Sequence, residues 1–212
     1  MTAKADTRLR RIPDKGSKDE QLARDIIDEA RICHVGFTVD EQPYVVPMAI
    51  ARDGDRILLH GSVVSRLITN LAGGLPCCVT VTHLDGLVYA RSAFNSSMNY
   101  RSLMVFGSAE IIADPEEKER GLDILVEHLL PGRLSELRKS TRKELNATTL
   151  LSLPLATFSI KVGEGPPDDT KSDVDTPIWA GVVPLKMQQG EPQAAPDMVS
   201  GTPLPAYLRK SD

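Results

Sequence analysis

Between Ile57 and Arg66 the chain reads Ile-Leu-Leu-His-Gly-Ser-Val-Val-Ser-Arg, an apolar strand running into a turn of small residues with two hydroxyls and one guanidinium. That combination suits a phosphate. Gly61, at the end of the strand, lets backbone N–H groups come close to an anion, and the start of the following helix presents the positive end of its dipole. Arg66 can clamp phosphate oxygens through two N–H groups at once, with Ser62 and Ser65 as neutral donors beside it and His60 at the mouth of the turn. The same residues also make an ordinary turn and helix cap, so the surrounding chain has to decide between the two.

A second group of donors lies in Ser97-Met98-Asn99-Tyr100-Arg101-Ser102. Amide, phenol, guanidinium and hydroxyl crowd into one short stretch, which suits a planar heteroaromatic with carbonyls or a phosphate, and equally a strand start with exposed polar residues. The four histidines, His34, His60, His83 and His128, show no H-E-x-x-H and no paired spacing, so no metal site is expected. There is no G-x-S-x-G elbow, no Gly-rich dinucleotide fingerprint and no P-loop. Cys33, Cys77 and Cys78 sit in apolar runs and read as buried thiols, with Cys77 and Cys78 pointing to opposite faces of a strand.

The elements that must position these groups are mostly strands. Ser17-Lys18-Asp19-Glu20 reads as a capping box opening a helix to about Arg31. Strands are expected over Cys33 to Val39 and Tyr44 to Ala51 around the turn Asp40-Glu41-Gln42-Pro43, then over Arg56 to His60 after the Asp53-Gly54 hairpin signal. A short helix over Ser65 to Leu71 ends at Gly73-Gly74. Cys77 to His83 and Leu87 to Ser92 read as a hairpin about Asp85-Gly86, and a loop over Phe94 to Asn99 leads into a strand over Arg101 to Ile112. Asp114-Pro115-Glu116-Glu117 opens a helix ending near Pro131-Gly132, and a second helical piece over Arg142 to Leu151 precedes a last strand over Leu153 to Val162. The pattern is mainly β, an antiparallel barrel with helices outside it. A barrel this small fills its interior with side chains, so a large ligand has to bind on the outer wall or between two copies.

The chain's 212 residues suit one core: an N-terminal arm over 1–16, a barrel over 17–162, and a Pro- and Gly-rich extension over 163–212, partly docked around Trp179. A net charge of -4 argues against a duplex nucleic-acid partner, and the basic runs Arg8 to Arg11 and Arg133 to Lys143 are local. No apolar run is long enough to span a membrane and no signal peptide opens the sequence, so a cytoplasmic protein is expected.

Taken in order, Tyr44-Val45-Val46-Pro47-Met48, His60-Gly61-Ser62, Ser65-Arg66, Ser97 to Ser102 with Phe106-Gly107, and Trp179-Ala180-Gly181-Val182-Val183-Pro184 resemble one group. It is the pyridoxamine 5'-phosphate oxidase-like, FMN-binding split-barrel superfamily, in the branch of nitroimidazole-resistance-type flavoproteins. The resemblance implies a six-stranded antiparallel split barrel and a homodimer with flavin at two interface sites. By position, His60, Gly61, Ser62, Ser65 and Arg66 would hold the flavin phosphate and ribityl chain. Pro47 and Met48 would line the ring, and Asn99, Tyr100, Arg101 and Ser102 would border the site from the same or the partner chain. The cofactor implied is FMN, with FAD as the alternative. The activity implied is electron transfer from a reduced nicotinamide or other donor to a small organic acceptor, such as a nitroaromatic. A non-catalytic flavin- or haem-binding module is the other reading. Two departures fall on the substrate side: Asn95-Ser96 stands where this branch often carries a His pair, and Gly163 where an Arg often follows the last strand.

Overall fold

The structure is a computed structural model that describes residues 5–10 and 12–209; residues 1–4 of the arm, Arg11 of the first basic run and residues 210–212 lie outside the described residues. The first helix is capped by Asp19 instead of Ser17. Its carboxylate accepts from the backbone N–H groups of Gln21 and Leu22, opening α1 (Glu20–Glu29), which buries Ala23, Ile26 and Ile27. Ser17 is drawn into a two-residue strand, β1 (Gly16–Ser17), which lies antiparallel to the last core strand at Ile160.

β2 (Ile32–Val39) and β3 (Gln42–Ala49) form a hairpin whose turn is shorter than expected. Only Asp40 and Glu41 turn the chain, with φ of 48° and 63°, the two-residue primed geometry that matches strand twist. Gln42 and Pro43 join β3, and an edge strand tolerates both Pro43 and Pro47 because their missing N–H groups face away from the ladder. β4 (Ala51–Asp53) turns through Gly54 into β5 (Arg56–Ser62), followed by α2 (Arg66–Ala72).

β6 (Pro76–Tyr89) is one long strand where a hairpin is expected. Asp85-Gly86 makes a bulge in its pairing with β7 (Ser97–Ser108), which also takes in the end of the expected loop. Long-range partners override the local turn chemistry. The Asp85 carboxylate is engaged by Arg101, and Gly86 lies under the tail strand β11 (Gly181–Pro184), where an added Cβ would come within 3.1 Å of the Val183 carbonyl.

After β8 (Glu110–Ile111) comes α3 (Pro115–Leu129), capped by Asp114 as its sequence implies. α4 (Arg142–Ala147) ends earlier than expected because Thr148 to Leu151 pair with β5 as part of β9 (Thr148–Pro154). The expected strand over Leu153 to Val162 is therefore split, with β10 (Phe158–Gly163) beginning after a turn in which Leu155 donates to the Asp55 carbonyl. The tail adds a single turn of helix, α5 (Lys171–Val174), before β11.

The strands form two antiparallel sheets. One runs β1-β10-β7-β6-β2-β3, with β11 paired to β6; the other runs β4-β5-β9-β8. Apart from the short strands β1, β4, β8 and β11, seven strands build the two sheets, β2, β3, β6, β7 and β10 in the first and β5 and β9 in the second, one more than the expected six. Alternation of side chains sends Val35, Val79, Leu103 and Val105 from the first sheet and Ile57, Leu59, Leu151 and Leu153 from the second into one closed core, with α1 and α2 at its ends. Leu58 and Leu150 point the other way, into a smaller cluster under α3. This is a split barrel with helices on its outside, and no helix among the described residues is long and apolar enough to cross a membrane.

Asp53 ties α3 to this frame. Bonds from Arg120, then from Arg56, hold its carboxyl down at about 2 from its ordinary 3.8. A pKa depressed in the folded state contributes stability that is present above the ordinary value and is lost as pH falls towards the folded one. Allowing for solvent screening, about 1–2 kcal/mol should disappear between roughly pH 4 and pH 2. Urea denaturation across that range should show it, and Asp53→Asn should remove that part of the pH dependence. An Asp53→Asn profile parallel to the wild type would show that the clamp adds nothing.

Candidate flavin site

The stretch from β5 into α2 places its side chains on two faces. Gly61 faces inward, where an added Cβ would lie 2.7 Å from Cγ1 of Ile68 on α2. Its missing side chain is thus room for the helix, not only for an anion. His60 and Ser62 face outward with Leu58. The Ser62 hydroxyl accepts from Val64 N–H at 3.4 Å and its carbonyl accepts from Ser65 N–H at 2.9 Å, which closes the turn. Ser65 occupies the N-cap of α2, yet its hydroxyl makes no capping bond and stays available to a ligand. His60 Nδ1 is buried with no hydrogen-bond partner, and burial pushes the ring's pKa down.

Arg66 is exposed, and its guanidinium carbon lies 4.3 Å from the centre of the Tyr44 ring, which itself stacks on Phe37 at 5.4 Å. No carboxylate among the described residues pairs with it. The ring face holds the cation by electrostatic attraction while leaving its N–H edge free. Tyr44 is the residue that sequence reasoning passed over; its only trace is its place at the head of the Tyr-Val-Val-Pro-Met motif. Farther along β3, Met48 packs on the core whereas Pro47 is exposed on the outer face with Pro43 and Val45. That outer face carries an apolar groove of about 530 Å³, lined by Gly36, Pro43, Val45, Pro76, Cys78 and Phe106.

The Asn99 to Ser102 group is divided by the strand it lies on. Arg101 points with Leu103 and Val105 to the inner face, where it bonds Glu29 at the end of α1 (2.6 and 3.0 Å) and Asp85 (2.8 and 3.0 Å). These bonds hold the Asp85 and Glu29 carboxyls below the ordinary range and push the Arg101 pKa up. Its guanidinium is fully engaged within its own chain. Asn99 donates to the Gly165 carbonyl at 3.1 Å and so holds the start of the tail. Tyr100 and Ser102 are on the outer face, with the Tyr100 ring over Gly163. Tyr44 and Arg66 are thus brought together within one chain, while Arg101 is turned away to the far side of its sheet.

Beyond the barrel, β11 extends the sheet along β6, and Trp179 just before it meets Tyr89 with ring centres 6.0 Å apart. Asp169 anchors the intervening chain by accepting from the backbone N–H and the guanidinium of Arg91, both at 2.8 Å.

The family model for pyridoxamine 5'-phosphate oxidase matches residues 19–162, from the N-cap of α1 to the end of β10. The chain belongs to this family. Its likeness to solved structures runs through the tail as well. It is 44% identical to the FAD and haem binding protein from Mycobacterium smegmatis, with 92% of this chain and 95% of that one covered and a TM-score of 0.88. It is 38% identical to the flavocytochrome Anf3 from Azotobacter vinelandii, over 95% and 94% of the two chains, with a TM-score of 0.89. A candidate 5-nitroimidazole antibiotic resistance protein from Bacteroides thetaiotaomicron is 28% identical over 69% of this chain and 86% of that one, with a TM-score of 0.59. No curated protein matches the sequence.

Proposed function

We propose that this pyridoxamine 5'-phosphate oxidase family member is a flavoprotein that moves electrons between its flavin and a second, haem cofactor, and that Arg66, Ser62 and Ser65 hold the flavin phosphate. The observation that carries the reading is Arg66: a cation oriented on Tyr44 and left without a carboxylate, beside a hydroxyl at the N-cap that caps nothing. Such a pair is ready for a phosphate dianion. The names of the two relatives of 44% and 38% identity, FAD and haem binding protein and flavocytochrome, support the cofactor pair. We take FAD as the flavin, with FMN as the outcome if the released cofactor lacks an adenylate.

Flavin, when bound, supplies the redox chemistry. The chain's part is to bind and orient it and to exclude water. Arg66 and Ser65 fix the phosphate end, Pro47 on the outer face of β3 offers an apolar contact to the ring, and Met48 backs that strand from the core. Tyr100 and Ser102 border the ring from the partner of a homodimer, which we place on the outer face of the larger sheet around the 530 Å³ groove. Pro43 and Pro47 at the β3 edge make edge-to-edge pairing unfavourable, so the copies pack face to face. Free thiols at Cys33, Cys77 and Cys78 fit a reducing, cytoplasmic setting.

A single purification tests the reading. The protein as isolated should be yellow, and its released cofactor should be identified by chromatography. Anaerobic addition of a reduced nicotinamide should bleach the flavin, and a small organic acceptor such as a nitroaromatic should restore the colour. A chain that binds neither FMN nor FAD sinks the proposal; a loaded protein that no donor reduces leaves a module that stores, senses or carries its ligand.

A further inference from the structure

The outer face of the larger sheet is almost without charge. Side chains alternate along each strand, so Ile160, Leu103 and Val81 are buried in the core while Lys161, Ser102 and Thr82 point outward. Of the outward positions on β2, β3, β7 and β10, and on β6 as far as Leu84, Lys161 alone carries a lysine, arginine, aspartate or glutamate. His34 lies three strands away, on β2. Among the described residues, the Lys161 ammonium makes no ion pair and no hydrogen bond.

The strand register surrounds Lys161 with neutral groups. Ser102 stands directly opposite on β7, with Thr82 opposite Ser102 on β6, and on the other side β1 presents Gly16, which has no side chain. Two residues along β10, the Tyr100 ring lies over Gly163. Asp14 and Glu164, which flank β1 and β10, line a cavity together with Arg101 and Val162 on the other side of the sheet. The neighbouring Lys18 is committed, its ammonium donating to the Phe158 carbonyl at 2.6 Å and to the Thr7 hydroxyl at 2.8 Å. A half-buried ammonium without a counter-charge is tolerable while the face is wet. Once a second copy covers that face the charge is costly, and the matching strands of the copy bring no carboxylate to it.

We propose that Lys161 is the charge partner of the reduced flavin ring. The inference rests on the flavin reading and on the face-to-face dimer above, in which Tyr100 and Ser102 border the ring. Two electrons and one proton taken from a reduced nicotinamide, which leaves as its oxidised cation, give the ring one negative charge. A fixed ammonium beside the ring favours that anion over the neutral oxidised form, and so raises the flavin's potential. Arg101, the cation that the family resemblance places at this site, is turned to the inner face and held there by Glu29 and Asp85. Lys161, cross-strand from Ser102, stands on the ring's side in its stead.

The test uses the full chain loaded with FAD, with the midpoint potential measured anaerobically against a reference dye and the affinity for oxidised FAD measured beside it. Lys161→Met keeps the apolar stem and removes the charge. It should bind oxidised FAD within about twofold of wild type, which also shows that it is folded, and reduced FAD about tenfold more weakly, a fall of about 30 mV for a two-electron couple. Lys161→Gln gives the same reading where Lys161→Met does not fold. Lys161→Arg should stay close to the wild-type potential and Lys161→Glu should fall below Lys161→Met, an order set by charge that a packing role would not produce. A wild-type potential in Lys161→Met, or an equal loss of affinity for oxidised and reduced FAD, overturns the assignment and leaves the flavin reading standing. Wild type that binds no flavin overturns both.

Discussion

Arg66→Ala should weaken flavin binding by about 2–3 kcal/mol, roughly 30- to 150-fold, while costing the fold no more than about 1 kcal/mol. The asymmetry follows from where the side chain spends its interactions. Among the described residues, the Arg66 side chain makes an exposed contact with the Tyr44 ring and pairs with no carboxylate, so little folding energy is at stake. Toward a phosphate it offers a charged, two-pronged donor. Arg66→Lys keeps the charge but not the fork, and should fall between alanine and wild type. Fluorescence titration with FAD and FMN, beside urea denaturation of the apo-protein, separates the two effects. Equal flavin affinities for Arg66→Ala and wild type would reduce the cradle to a turn and helix cap.

The contrast with Arg101 shows where sequence reading stops. Both arginines lie in short polar stretches beside hydroxyls, and nothing local tells them apart. Arg101 is spoken for by Glu29, 72 residues away, and by Asp85, 16 residues away, and charge pairing over such separations leaves no period in a sequence. Elements with local causes were legible: α3 follows from Asp114-Pro115 with Glu117, and the β2–β3 hairpin from its apolar alternation. Asp85-Gly86 was misleading because its turn chemistry is real, but β7 on one side and β11 on the other hold the strand straight through it. Thr148 to Leu151 likewise abandon the helical phase once β5 offers them a ladder. The orphaned nitrogen of His60 depends on what packs around it, and packing is not written in residue type.

Gly61 is where fold and site meet, and Gly61→Ala should disturb both. The new Cβ would approach Ile68 Cγ1 to 2.7 Å and Cδ1 to 3.0 Å, so either the Ile68 side chain or α2 as a whole must move. Ile68 is almost fully buried in the main core and has little room to yield. Overpacking of this kind costs about 1–3 kcal/mol. Because α2 carries Arg66 on its first turn and Ser65 at its cap, a shift of the helix also misplaces the phosphate donors, and flavin affinity should fall about tenfold. A glycine needed only for close approach of an anion makes a different prediction: lost affinity with stability unchanged. Ile68→Val decides between them by retaining Cγ1 and removing Cδ1, whereas Ile68→Ala removes both clashing atoms. If helix docking is the cause, Gly61→Ala with Ile68→Ala should be less destabilised than the sum of the single variants by about 1 kcal/mol or more, with Ile68→Val giving part of that coupling. Additive single variants would return Gly61 to the anion.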